Sequence, residues 1–435
     1  LYERKYGVMK MVKVSIAKAE NYEEAQAGIR AVMEPLGGFG AFIKDGQSVW
    51  LKPNMVRPLP TVPALTDARF MAAMIREIKE QTDPSRIVVA DAPFRGYPGE
   101  KAFNFEGEYS GLKMKETCEK EGADVIYLDE YEWETVEIPE AKVLKEVEFS
   151  KLRNEVDVII NVPKLKTHVQ PGITVAIKNW HGFISWKYRR LWHSDNLSQK
   201  LVDIFKGPGA MPALNIVDGI VGVHEFGPSI AGLPFESKVL IASPDPVATD
   251  AVASYLMGWE NPFDVEMVRI GDYDGVGVGD ISKIEVVGEP LYHIEGWIRP
   301  NMKLIAEYPN INVIAGSYCA GCKSRLKFAI ENILKRGMWD KYFEEHEPLT
   351  LVCGVGAKLP EPSENVMYLG DCILFDTVWD EKGNPRLGYD EETMEKRRVI
   401  LEDPKAIWLK GCPIWFTEVS DVIKERLAKV EEAKA

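Results

Sequence analysis

Val158-Ile-Ile-Asn-Val-Pro-Lys-Leu-Lys-Thr-His168 is an apolar run that turns polar just after a proline. The apolar half reads as a buried strand, and in open α/β sheets ligands bind just beyond the carboxyl ends of strands. Lys164, Lys166 and His168 are therefore expected to emerge at a binding edge. Similar runs recur along the chain: Val12 to Ile16, Ser48 to Leu51, Ile87 to Ala90, Val125 to Leu128, Val156 to Val162, Leu214 to Asp218 and Lys238 to Ser243. They alternate with helical patterns, and that alternation predicts an α/β fold of mostly parallel sheets flanked by helices. The clearest helix covers residues 66–81, with Thr66 as N-cap and Phe70, Met74 and Ile75 at helical spacing. Another is expected from Pro246 to Met257.

The chain has 435 residues, too many for one ordinary core, and a turn-rich stretch at 291–310 suggests a boundary. The expected division is a large substrate-binding α/β region over 1–300 and a smaller α/β cysteine module over 301–435. A formal charge of −14 argues against nucleic acid and anionic membranes as partners, because the summed field repels both. No stretch approaches the roughly 20 apolar residues of a membrane span. Residues 1–13 carry basic side chains without an export-signal core, and the expectation is a soluble cytoplasmic protein, with a homo-oligomer as its expected assembly.

Against that acidic background, residues 161–193 crowd together three of the six histidines and several basic side chains. Beyond Lys164, Lys166 and His168 they include Lys178, His181, Arg189, Arg190 and His193. Lysines in a loop are usually a solvated face, but a basic cluster at a strand end suits a carboxylate, a phosphate or another small anion. Lys178 lies in the apolar run Thr-Val-Ala-Ile-Lys-Asn-Trp, where burial would lower its pKa. Lys52 and Asn54 in Leu-Lys-Pro-Asn, Asp91 in Ala-Asp-Ala-Pro and Asp218 in Val-Asp-Gly-Ile also close strand-like runs. They are candidates for the same edge, with turn formation or helix capping as the plain alternative. His168, Lys178 and His181 are the candidate catalytic groups, because a histidine titrates near working pH and a buried lysine can.

Five of the six cysteines fall in the last 120 or so residues: Cys319, Cys322, Cys353, Cys372 and Cys412. Each follows a short apolar run, so strands sharing one parallel sheet would bring the thiolates to one edge. Their small number and clustering fit a reducing compartment better than a disulfide scaffold. One close pair plus distant single cysteines favours a 4Fe-4S cluster over structural zinc, the alternative metal, since zinc usually takes two close pairs. Buried thiols without metal are the remaining reading. No nicotinamide, flavin or P-loop fingerprint is present.

Leu-Lys-Pro-Asn, Pro-Lys-Leu-Lys-Thr-His, Ala-Ile-Lys-Asn, Asp-Gly-Ile and Pro-Asp-Pro-Val-Ala-Thr-Asp-Ala resemble, in order over roughly residues 45–260, the domain-of-unknown-function family numbered 362. That resemblance implies an association with iron–sulfur proteins and supplies no reaction. The spacing of His168, Lys178 and His193 is similar to that of lactate racemase-type enzymes, which carry a nickel cofactor on the lysine. This chain has Thr-Val-Ala-Ile where those enzymes have glycines. Cys319-Ala-Gly-Cys322, Gly-Asp-Cys372 and Gly-Cys412-Pro resemble the proximal-cluster segment of hydrogenase small subunits. The resemblance implies Cys319, Cys322, Cys372 and Cys412 as ligands, with Cys353 left over, either to replace Cys372 as the fourth ligand or to lie beside the cluster as an extra thiol. The leading expectation is an iron–sulfur oxidoreductase acting on a small anionic substrate held by Lys52, Asn54, Asp91, Lys164, Lys166, Arg190, His193 and Asp218. A redox protein is a possible partner. The alternatives are a racemase- or epimerase-like enzyme with a lysine-bound metal cofactor, and a non-catalytic electron-transfer subunit.

Overall fold

The alternating runs fold into two compact units, Leu1–Trp192 with Asn196–Pro300 and His193–Asp195 with Asn301–Ala435. The computed structural model describes residues 11–55, 63–93, 113–191, 196–228, 232–300, 310–316, 325–327, 329–330, 348–379, 385–388, 391–411, 414, 419–423 and 425. Among these, no helix is long and apolar enough to cross a membrane.

The first unit begins with β1 (Val12–Lys18), β2 (Ser48–Pro53), β3 (Arg86–Asp91) and β4 (Asp124–Tyr127). A separate antiparallel ribbon follows, made of β5 (Trp133–Glu137) and β6 (Glu146–Ser150). Then come β7 (Val158–Val162), β8 (Lys164–His168), β9 (Gly172–Thr174), β10 (Leu214–Glu225), β11 (Gly232–Phe235), β12 (Val239–Ser243) and β13 (Ile284–Gly288). Apart from the ribbon, these strands make one sheet with the main order β13-β1-β12-β10-β7-β2-β3-β4. From β10 to β4 neighbours run parallel, whereas β12 is antiparallel to both β10 and β1. The chain lays β2, β3 and β4 outward in one direction and then returns, so that β7 pairs with the other flank of β2. The order of strands reverses between β2 and β7, and in open α/β sheets such a reversal opens a crevice at the carboxyl ends.

Alternation along the strands divides the core. Val49, Leu51, Val89 and Ile160 pack with Ile29 and Val32 of α1 (Ala25–Met33) and Phe70, Met74 and Ile78 of α2 (Ala68–Gln81). Trp50, Val88, Ala90 and Ile159 point to the opposite face. After α3 (Met114–Lys120), α4 (Ala176–Asn179) and α5 (Trp186–Leu191), that face receives α6 (Leu197–Ile204), α7 (Pro246–Leu256) and α8 (Glu266–Tyr273). Leu201, Val247, Val252 and Met267 supply its apolar contacts.

Three local expectations need correction. The N-cap of α2 is Asp67, whose carboxylate accepts from Arg69 N at 2.9 Å. Thr66 instead donates its hydroxyl to Val162 O at 2.7 Å and accepts from Asn54 N at 2.8 Å, tying β2 to β7. Asp218 does not close a strand, because β10 runs on for seven residues to Glu225. Lys164 to His168, expected to emerge beyond the end of the preceding strand, form a buried strand of their own. Pro163 has no N–H to give the ladder and breaks the strand there. On either side of it β7 and β8 pair with the same long β10.

The second unit contains β14 (Ile311–Ala315), β15 (Leu349–Cys353), β16 (Val366–Leu369), the hairpin of β17 (Asp376–Trp379) and β18 (Pro385–Gly388), α9 (Glu391–Glu402) and β19 (Ile407–Leu409). Its sheet has the order β14-β15-β16-β19 and is parallel throughout. Leu349, Leu351, Met367 and Leu369 face one apolar cluster, and Val352 and Tyr368 face another.

Candidate active site

The lysines gather where β2 and β7 part. Lys52, the next-to-last residue of β2, is fully buried, and its amine lies 2.9 Å from Asp91 Oδ1 at the end of β3. It also donates to Asn179 O at 2.8 Å. Lys164 and Asp218 face each other in the register of β8 and β10, with Lys164 Nζ 2.8 Å from Asp218 Oδ2. The Tyr22 hydroxyl joins them, accepting from Lys164 at 2.7 Å and donating to Asp218 Oδ1 at 3.2 Å. These two lysines are matched by carboxylates.

Among the described residues Lys166 and Lys178 are not. Lys166 donates to Asn54 Oδ1 at 2.8 Å and to Ala64 O at 2.7 Å. Burial, with Lys178, Lys164 and Lys52 nearby, pushes its amine well below the ordinary lysine range, Asp91 opposing. Lys178 sits in α4, three residues before His181, and its amine is 3.0 Å from His181 Nδ1. Burial and the positive charges of Arg189 and Lys52 push Lys178 down to about 7. Among the described residues, no carboxylate lies within 4.0 Å of either amine.

The backbone around Lys178 is held from outside. Asp250 of α7 accepts from Ala176 N at 2.6 Å and Ile177 N at 3.1 Å, closing the start of α4. Burial raises its pKa to about 8, those two N–H groups opposing the rise. Beyond Lys178, Trp180 stacks on Phe183 at 4.7 Å and Phe183 on Trp50 at 5.3 Å, giving the site an apolar wall. A Cβ on Gly182 would sit 2.2 Å from Asp91 Oδ1 and 2.8 Å from Lys52 Nζ, so only glycine admits that ion pair. Arg189 adds a buried guanidinium that donates to Ala92 O at 2.6 Å; burial lowers its pKa to about 10, with Asp91 and Asp129 opposing.

The structure thus brings together Lys52, Asn54, Asp91, Lys164, Lys166, Lys178, His181 and Asp218. His168 lies at the far end of β8, where its Nδ1 accepts from Gln170 N at 3.1 Å. Arg190 belongs to α5, but its side chain, like the whole of His193, lies outside the described residues. So do Cys319, Cys322 and Cys412. Cys353 ends β15, packed in the core, and Cys372 follows β16. Burial raises the Cys353 thiol to about 11, and Cys372 adds to the rise. Among the described residues, no group of three or more His, Cys, Asp or Glu side chains could hold a metal ion.

Sequence reasoning missed Tyr22, Asn161, Asn179, Asn215 and Asp250. Asn161 and Asn215 did carry a signal, since each is an amide inside an apolar strand run, where an unpaired polar group is costly. Nothing local marks Tyr22.

The family described as Domain of unknown function (DUF362) matches residues 49–255. A thylakoid-associated protein of Synechocystis sp. is 31% identical over 257 residues, spanning 57% of this chain and 75% of that protein. The lactate racemase apoprotein of Thermoanaerobacterium thermosaccharolyticum aligns with a TM-score of 0.33 at 13% identity, over 47% of this chain and 50% of that one. A structural-genomics protein from Thermotoga maritima aligns with a TM-score of 0.29 at 10% identity, over 50% of this chain and 54% of that one. The chain therefore spans about half the length of each of these two solved structures.

Proposed function

This chain belongs to the family described as Domain of unknown function (DUF362), and on that footing we propose that its first unit binds a small anionic substrate against Lys166 and Lys178 and moves a proton through Lys178 and His181. One observation carries the reading: two buried amines lack a carboxylate partner among the described residues, beside two lysines that have one. Uncompensated buried cations are costly, and an arriving carboxylate or phosphate would supply the missing charge. An amine near neutrality can take a proton from a bound substrate or return one, and His181 at 3.0 Å can share it. The aromatic wall would limit water at the reacting atoms.

Thermal unfolding in the presence of inorganic phosphate or acetate tests this. An anion at 100 times its Kd should stabilise the wild type by about 2.7 kcal/mol, and Lys166→Met should lose the response. A wild type indifferent to both anions, or a variant that responds fully, would sink the assignment.

In the second unit we infer a 4Fe-4S cluster on Cys319, Cys322, Cys372 and Cys412, with zinc as the competing metal. Support comes from the parallel sheet, whose strands all end on the edge where Cys353 closes β15 and Cys372 follows β16. A cluster of this type supplies one-electron transfer, which would make the protein an oxidoreductase with a redox protein as partner. The near-neutral Lys178 amine also supports a second reading, a cofactor covalently bound to that lysine as in racemase- or epimerase-like chemistry. Protein from its native host would then show an added mass on the peptide bearing Lys178, and an unmodified mass excludes it.

A further inference from the structure

Four buried asparagines form one line of hydrogen bonds that ends on Lys166. Lys166 Nζ donates to Asn54 Oδ1 at 2.8 Å, and Asn54 Nδ2 donates to Asn179 Oδ1 at 2.7 Å. Asn179 Nδ2 donates to Asn161 Oδ1 at 2.7 Å, and Asn161 Nδ2 to Asn215 Oδ1 at 2.9 Å. Asn215 Nδ2 closes the line on Ser243 O at 3.1 Å. The members come from five places in the first unit: the end of β2, α4, β7, β10 and β12.

The Ser243 end dictates the direction. The Ser243 carbonyl can only accept, so Asn215 must turn its amide nitrogen there and its oxygen toward Asn161. The same requirement passes along the line until Asn54 presents oxygen to Lys166. A charged amine at the lysine end can only donate, which is compatible with the same arrangement. Flipping any one amide would set donor against donor or acceptor against acceptor at buried contacts. All four carbonyls therefore lie on the Lys166 side of their amides, and aligned hydrogen bonds polarise one another.

We propose that Asn54, Asn179, Asn161 and Asn215 are positioning residues that favour the charged form of the Lys166 amine and fix it in place. Its use as a standing cation for the substrate rests on the anion-binding reading; the relay itself does not. Around Lys166, burial together with Lys178, Lys164 and Lys52 favours the neutral amine, and Asp91 favours the charged one. The relay acts alongside Asp91. Among the described residues two of three ammonium protons would go to Asn54 Oδ1 and Ala64 O, which leaves the third for a ligand anion.

The test is an NMR pH titration of protein carrying isotope-labelled lysine, with the Lys166 amine signal assigned by its loss in Lys166→Met. No ligand is added, so the outcome is separate from that of anion binding. Asn161→Leu cuts the relay two links away from Lys166. It should lower the Lys166 midpoint by roughly half a unit, the share of a charged hydrogen bond that cooperative polarisation contributes. Asn215→Asp still accepts from Asn161 and adds negative charge at the far end, so the midpoint should hold or rise. Where Asn161→Leu fails to fold, Asn215→Leu breaks only the last two links and should shift the midpoint in the same direction. An unmoved Lys166 in either folded leucine variant, or a fall in Asn215→Asp equal to that in the leucine variant, overturns the proposal.

Discussion

Lys178 and Lys166 share one buried neighbourhood but differ in what surrounds the amine. Lys166 is met by two oxygens, whereas Lys178 has the Nδ1 of His181. With little to hold its charge, Lys178 falls from an ordinary 10.5 to about 7. The consequence for stability has a definite sign. Below about pH 7 the folded and unfolded chains both carry the proton, and the full cost of burying the charge is present. Between about 7 and 10.5 only the unfolded chain keeps it, so stability rises with pH across that window. Lys178→Met removes the charge without leaving a hole. The variant should therefore be more stable than the wild type below pH 7, and its advantage should shrink as the pH climbs toward 10.5. Asp250, raised to about 8, titrates in both proteins and cancels in the difference. Urea unfolding of the pair at a series of pH values reads the effect. A gap that does not change with pH would mean that Lys178 does not titrate there.

Elements differ in how far their own sequence announces them. Strand β7 was legible because its residues are apolar throughout except Asn161, and α2 because its apolar positions recur at helical spacing. Strand β8 was not. Lys-Leu-Lys-Thr-His looks like a solvated segment until its partners are known, and those partners are distant: Asp218 lies 54 residues from Lys164, and Tyr22 lies 142 away. A lysine's burial is decided by such tertiary contacts, which local pattern does not encode. The position of Lys52, Asn54 and Asp91 at strand ends was readable, since a polar residue after an apolar run marks the end of a strand in a parallel sheet. Their pairing was not, because it depends on β2, β3 and β7 becoming neighbours. The same holds for the capping of α2: Thr66 and Asp67 are both good caps, and the bonds of Thr66 to Asn54 and Val162 decide between them.

Across the whole chain the same architectural rule operates twice, once in each unit. Parallel strands place all their carboxyl ends on one edge, and groups that follow successive strands are gathered there however far apart they lie in sequence. In the first unit the edge gathers lysines; in the second, Cys353 ends one strand and Cys372 follows the next. Thiolates favour iron–sulfur clusters or zinc, and widely separated single cysteines favour the cluster. Cys353 is packed in the apolar core with Leu351 and Leu369, which suits a structural thiol better than a ligand. Protein purified without oxygen should then contain iron and labile sulfide at about four of each per chain. Cys372→Ser should lose the visible absorption of the cluster, and Cys353→Ser should keep it. The reverse pattern would move the fourth ligand to Cys353. One zinc per chain with no labile sulfide would remove the redox chemistry from the second unit, and the lysine site would then have to account for the protein's activity by proton transfer alone.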